Sequence, residues 1–199
     1  MRGASEARVS ELPSSKRFAT QAAWERWLER NHSSSKEIWI QFAKKGSDVK
    51  TLSYPEAVIS ALCYGWIDSQ GRSGGEKISL QRYTPRGKRS RWSRINREHA
   101  ERLIKEGKMR PAGLAAVEQA KQNGMWDAAY EPPSTAEPPE DFERALRKSK
   151  KAREFYATLN GQNRYAILHR LAAPGKPETR AKRIEKFVSM LERGEKLYP

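Results

Sequence analysis

The chain has 199 residues, with 39 Lys/Arg against 24 Asp/Glu, a formal net charge of +15 and a pI near 10.1. A hydrophobic content of 37% with six Trp is enough for a real core and excludes global disorder. One cysteine, Cys63, excludes an intrachain disulfide and a multi-cysteine zinc site, and the scattered His32, His99 and His169 supply no ligand spacing, so no metal and no cofactor is expected.

The basicity is regional: +2 over residues 1–70, +9 over 71–110, −3 over 111–139 and +7 over 140–199. Clustered positive charge raises the local concentration of anions, which favours nucleic acid, anionic headgroups or phosphorylated small molecules as partners. The opening MRGASEARVSELPSSKRF has no continuous apolar run, and no stretch of about 18 apolar residues follows it. Neither export nor a membrane span is expected, and the location expected is the cytoplasm. Residues 1–17 read as a flexible tail.

From Thr20, Ala23, Trp24, Trp27 and Leu28 recur at helical spacing up to the turn cluster Asn31-His32-Ser33. Glu37 to Ala43 is β-branched and aromatic and reads as a buried strand. Ser53 and Glu56 stand at capping-box spacing with Pro55 between them, which starts a second helix running to about Tyr64 and Gly65. Trp66 to Asp68 reads as a short strand, Gly71 to Gly75 as a turn and Ile78 to Tyr83 as a second strand; so short a connection makes the pair antiparallel. Ser90 or Ser93 caps a helix through Ile104, and Pro111 opens another that closes at Gly124. Both are expected to pack on the sheet. Four prolines in the nine residues Glu131 to Pro139 mark a linker. Beyond it, helical patterns occupy about 139–159, 163–172 and 178–192. The fold class expected is α+β: a small antiparallel sheet flanked by helices over 18–130, the linker 131–139, and a helical module over 140–199.

The chemistry concentrates between Cys63 and Asn96. Trp66, Asp68, Ser69, Gln70 and Arg72 put a carboxylate, a hydroxyl, an amide and a guanidinium at a strand end beside a glycine turn. Either they converge on a ligand, or Asp68 and Ser69 make local turn bonds while Trp66 fills the core. Next, Arg82, Tyr83, Arg86, Arg91 and Trp92 alternate cations with flat rings, a composition suited to phosphates and bases, or to a solvated basic loop over a buried Trp92. Ser93, Arg94 and Asn96 open a helix whose free N–H groups attract an anion unless the Ser93 hydroxyl caps them.

Cys63 lacks a neighbouring histidine and reads as a small buried hydrophobe. His99 and His169 read as surface or helix-end residues. No Ser/His/Asp, Walker or dinucleotide fingerprint is present, so no catalytic residue is assigned. In the last helix Ile184, Phe187, Val188 and Leu191 form the apolar side, leaving Arg180, Lys182, Arg183 and Lys186 to solvent and Glu185, Glu192 and Glu195 to dilute the charge.

Four blocks carry a resemblance: LSYPEAVISALCYGWIDSQ, LQRYTPRGKRSRWSRIN, MRPAGLAAVEQAKQNGMWDAAY and PETRAKRIEKFVSML. Through them the chain resembles the YdeI/OmpD-associated family of bacteriocin-protection-type proteins over about Phe18 to Leu191. The resemblance implies a compact α+β part, a helical C-terminal module and a stress or peptide-resistance context, with no catalytic residues to carry over. Direct capture of cationic peptides is not expected of a chain carrying +15.

Three functions follow. The first is a non-enzymatic cytoplasmic binding protein whose basic face, from Trp66 to Asn96, holds an anionic ligand or a protein partner. The second is binding of RNA or single-stranded DNA, and the third an enzyme on a small anion with Asp68 as acid/base. The shape around Asp68 discriminates: a deep pocket favours a small molecule, a shallow basic groove favours nucleic acid. The oligomeric state is left open.

Overall fold

The computed structural model describes residues 12–173 and 175–199; the first eleven residues of the expected tail lie outside them. The fold is α+β, with eight helices and a four-stranded sheet among the described residues. The chain divides into two compact units, one running through Ser90 and resuming over Glu98–Asn123, the other made of Arg91–Arg97 and Gly124–Pro199.

The first unit holds the sheet, in the order β1 (Ser15–Arg17), β2 (Ile38–Ala43), β4 (Ile78–Pro85), β3 (Trp66–Ser73). The last three pair antiparallel, as their short connections require. β1 pairs parallel with β2 and occupies residues expected to be tail, because a three-residue strand carries no period to read. Alternation along β2 sends Ile38, Ile40 and Phe42 into a core shared with Trp24, Leu28, Ala57, Trp66 and Tyr83. Burying each of the large aliphatic and Phe side chains contributes about 1.5–3 kcal/mol. Trp39 is buried from the opposite face, with the Arg72 guanidinium 5.3 Å from its ring centre.

β3 does not end at Asp68. It continues to Ser73 through a bulge between Asp68 and Gly71, where Asp68 pairs with Tyr83 and Gly71 with Gln81. The extra residue lets the strand absorb the glycine that otherwise signals a turn. The turn itself sits at Gly74-Gly75, with Gly75 at φ +104°.

Helix α1 (Gln21–Asn31) is capped by Thr20, and α2 (Tyr54–Cys63) by the full Ser53/Glu56 capping box. Of the next two, α3 (Arg94–Lys105) has only its C-terminal part in this unit and α4 (Pro111–Gln122) lies wholly within it. The close approach of α4 is to the end of α2: a Cβ on Gly113 would stand 2.3 Å from the Cys63 carbonyl oxygen, so only glycine fits. The Arg110 N–H donates to that same oxygen at 3.0 Å.

In the second unit Trp92 is buried edge-on against Trp126, 4.9 Å between centres, where residues 93 and 130 form a parallel bridge. The proline-rich segment 131–139 belongs to this unit and carries a turn at Pro132–Thr135. The helix expected over 139–159 is two, α5 (Glu140–Lys148) and α6 (Lys150–Thr158). Ser149 breaks it with extended backbone and then caps α6, its hydroxyl accepting from Ala152 N at 3.3 Å.

With α7 (Gly161–Leu171) and α8 (Pro177–Glu192) these helices bury Phe142, Leu146, Leu159, Ile167, Leu171, Phe187 and Leu191. Two of the cations expected to face solvent are internal braces. Arg180 forks onto Asp141 at 2.5 and 2.8 Å and donates to the Leu171 carbonyl at 2.7 Å; Arg183 donates to the Ala173 carbonyl at 2.7 Å. Arg180 satisfies a carbonyl that the end of α7 leaves open, and Arg183 one in the segment just beyond it.

Candidate ligand-binding site

Pairing sets the floor of an open cleft in the first unit. Gly71 lies opposite Gln81, and Ser79 opposite both Ser73 and Phe42, so all five share one face of the sheet. Three of them are too small to fill the space above, and a cavity of about 760 Å³ remains. Thr51 to Tyr54, the approach to α2, form its wall, with the Phe42 and Tyr54 rings edge to face at 5.8 Å. Arg72 is the one charged residue in the lining, but its guanidinium lies over Trp39 on the opposite face and brings no charge to the cleft. The cation beside the cleft is Lys44, its Nζ donating to Ser73 Oγ at 3.3 Å and to the Gly75 carbonyl at 2.6 Å.

Asp68 stands at the margin, accepting from the Tyr54 hydroxyl at 2.6 Å. Behind it Tyr83 is fully buried, its ring 5.7 Å from Trp24, and its hydroxyl has no hydrogen-bond partner among the described residues. Burial above all, then the nearby Tyr54 and Asp68, pushes the Tyr83 phenol far up, so it stays protonated. The cleft therefore offers an aromatic wall, a hydroxyl and amide floor, and positive charge at one end. It suits a small molecule with an apolar edge and an anionic or hydroxyl-rich remainder.

The other residues singled out from sequence are dispersed. Seven of the twelve fall in the first unit and five in the second. Trp66 is core, its indole N–H given to the His32 carbonyl at 3.1 Å, and Gln70 is exposed. Arg82 points to the sheet face opposite Tyr83 and donates through Nε to Glu37 at 3.0 Å. Arg86 is half-buried, with its backbone N–H on the Gly65 carbonyl at 2.8 Å.

In the second unit Arg91 stacks on Tyr130 at 4.7 Å and donates to the His169 carbonyl at 3.1 Å. Burial pushes the Arg91 guanidinium down, and burial with Arg91 and Arg170 does the same to His169, which favours its neutral form. Ser93 Oγ accepts from Asn96 N at 3.1 Å, which is the capping alternative, and Arg94 pairs with Glu131 at 2.5 Å. Neither Tyr83 nor Trp92 presents a ring for stacking, because both rings are buried.

The family comparisons divide the chain along similar lines. Residues 16–116 match the family model described as Domain of unknown function (DUF8412). The chain belongs to that family. Residues 135–194 match a second model, described as Bacteriocin-protection, YdeI or OmpD-Associated. The resemblance read from sequence holds for that segment, while two of its blocks, Leu52 to Gln70 and Leu80 to Asn96, fall inside the DUF8412 match, as does the cleft. No curated protein and no solved structure matches the chain.

Sequence reasoning missed Phe42, Thr51, Ser73, Ser79 and Gln81. They come from three strands and a loop, and no local pattern joins them. The one available signal was the small-residue bias at alternate positions of β3, Gly71 and Ser73.

Proposed function

We propose that the protein is a cytoplasmic binding protein that holds a small anionic ligand with an apolar edge in the cleft beside Asp68. One observation carries this: a 760 Å³ cavity over Gly71, Ser73 and Ser79, with Lys44 beside it and no carboxylate among the lining residues. The cleft next to Asp68 is open but is no basic groove, with Lys44 the cation beside it, and this supports a small molecule over a nucleic-acid backbone. The nucleic-acid reading has less behind it, since Arg82, Arg94, Arg180 and Arg183 are committed to partners inside their own units. Catalysis has less as well, since Asp68 sits at the margin, engaged by Tyr54. The bacteriocin-protection description belongs to the family matching residues 135–194, and a resistance role for this chain is part of the proposal.

Titration calorimetry with aromatic carboxylates and sugar phosphates tests it. Lys44→Ala should weaken binding about tenfold, the size of one charge-assisted contact, and Ser79→Leu, which fills the floor, should remove it with circular dichroism unchanged. Wild-type affinity in Ser79→Leu would sink the assignment.

A further inference from the structure

The first unit contains a second cleft, of about 690 Å³, that the reading above does not use. Its two walls carry opposite charge for a reason legible in helix geometry. Gln21, Glu25 and Glu29 are spaced i, i+4, i+8, so α1 presents them as one stripe. Facing the same cavity are Arg102, Lys108 and Arg110, from the end of α3 and the start of α4; Arg102 and Lys108 are paired with Glu106 at 3.2 and 2.8 Å, so the charge of this wall is carried by Arg110. Ile59 and Leu103 supply apolar lining between them, and Arg26 adds a cation to the α1 side.

The acidic wall is pre-positioned. Glu25 Oε1 accepts from Gln21 Nε2 and from Ser60 Oγ, both at 2.9 Å, and Ser60 is 1% exposed. Both bonds fall on one oxygen; among the described residues no hydrogen bond is made to Oε2. At one end Tyr64 already joins the walls: its hydroxyl donates to Glu29 at 2.6 Å, and Arg110 lies over its ring at 6.0 Å. A molecule carrying both charges can repeat that bridge along the rest of the cleft.

From this geometry we infer that the second cleft binds a small zwitterion with an apolar side chain, a free amino acid or a very short peptide, its ammonium on Glu25 and its carboxylate on Arg110. A simple anion meets Glu25 and Glu29, and a simple cation meets Arg110; only a ligand with both charges satisfies both walls.

Cys63 provides the readout. It is the only cysteine of the chain, is half-buried and lines this cleft. Burial first, then Glu25, pushes its thiol up, so alkylation is slow and a ligand over it slows alkylation further.

The experiment follows iodoacetamide labelling of the full chain with leucine, leucylleucine, and their N-acetyl and amide forms. Leucine or leucylleucine should slow labelling about tenfold at roughly ten times its Kd, and whichever does so fixes the ligand length. The singly charged forms should protect roughly tenfold less well, as loss of one charge-assisted contact implies. Glu25→Gln and Arg110→Gln should each lose protection, and Ser79→Leu should keep it, which separates this site from the first cleft. Equal protection by the capped forms, or none by either zwitterion, overturns the inference. A Glu25→Gln chain that fails to fold leaves Arg110→Gln to decide, because that change removes only an exposed side chain and keeps the backbone bond to Cys63.

Discussion

The two units spend the same residue type in opposite ways. On the sheet unit, Arg82 and Arg72 lie along strands, one against the exposed Glu37 and one over the Trp39 ring. In the helical unit, Arg91, Arg180 and Arg183 reach inward to carbonyls, a carboxylate and an aromatic ring. Net charge is blind to this difference. A cation whose donors end on helix carbonyls is a structural part, and its positive charge counts for little toward an outside partner. The +15 of the chain therefore overstates the basic surface it offers, most of all in the second unit.

The comparison breaks most visibly at Arg180. Arg180→Ala deletes two bonds to Asp141 and one to the end of α7, and should cost about 2 kcal/mol after allowing for the side chain's partial exposure. Urea denaturation measures it, and a loss too small to resolve would mean that Arg180 is no brace.

A smaller effect is expected in acid. Arg180 holds the Asp141 carboxyl below its ordinary 3.8. The pair's contribution is complete above that unfolded value and is lost as pH falls through the lower folded one. Thermal melts of wild type and Asp141→Asn between pH 5 and 2 should converge toward the acid end; parallel curves would contradict the linkage. Least of all should change with Arg82→Ala, an exposed pair contributing about 0.2–1 kcal/mol. A drop as large as that of Arg180→Ala would erase the distinction between the units.

The elements that sequence reasoning placed correctly are those with local chemistry. The Ser53/Glu56 capping box forms, Pro111 opens α4, and the apolar stripe through Phe187 and Leu191 is buried. What it misplaced depends on distant partners. Arg180 looks exposed on the α8 stripe because its carboxylate is 39 residues away on α5. Gly71 looks like a turn because nothing local shows that β4 pairs past it. Ser149 looks like an interior helical residue until its backbone is seen extended. The site fared worse than the fold: Asp68 and Arg72 were legible as chemistry, but a cleft is defined by side chains that are missing, and Gly71, Ser73 and Ser79 leave it empty only once three strand segments are assembled.

The same bulge that lengthens β3 also decides how the sheet ends. An outer strand with regular spacing offers free N–H and C=O groups to any other chain and invites fibre growth. Among the described residues, one border of the sheet is β3, kinked between Asp68 and Gly71, and the other is the three-residue β1, with Lys16 and Arg17 exposed. One border is bent out of register and the other is short and charged. Copies of this chain are thereby discouraged from adding to one another strand by strand, and colloidal stability comes from backbone geometry at one border and from charge at the other.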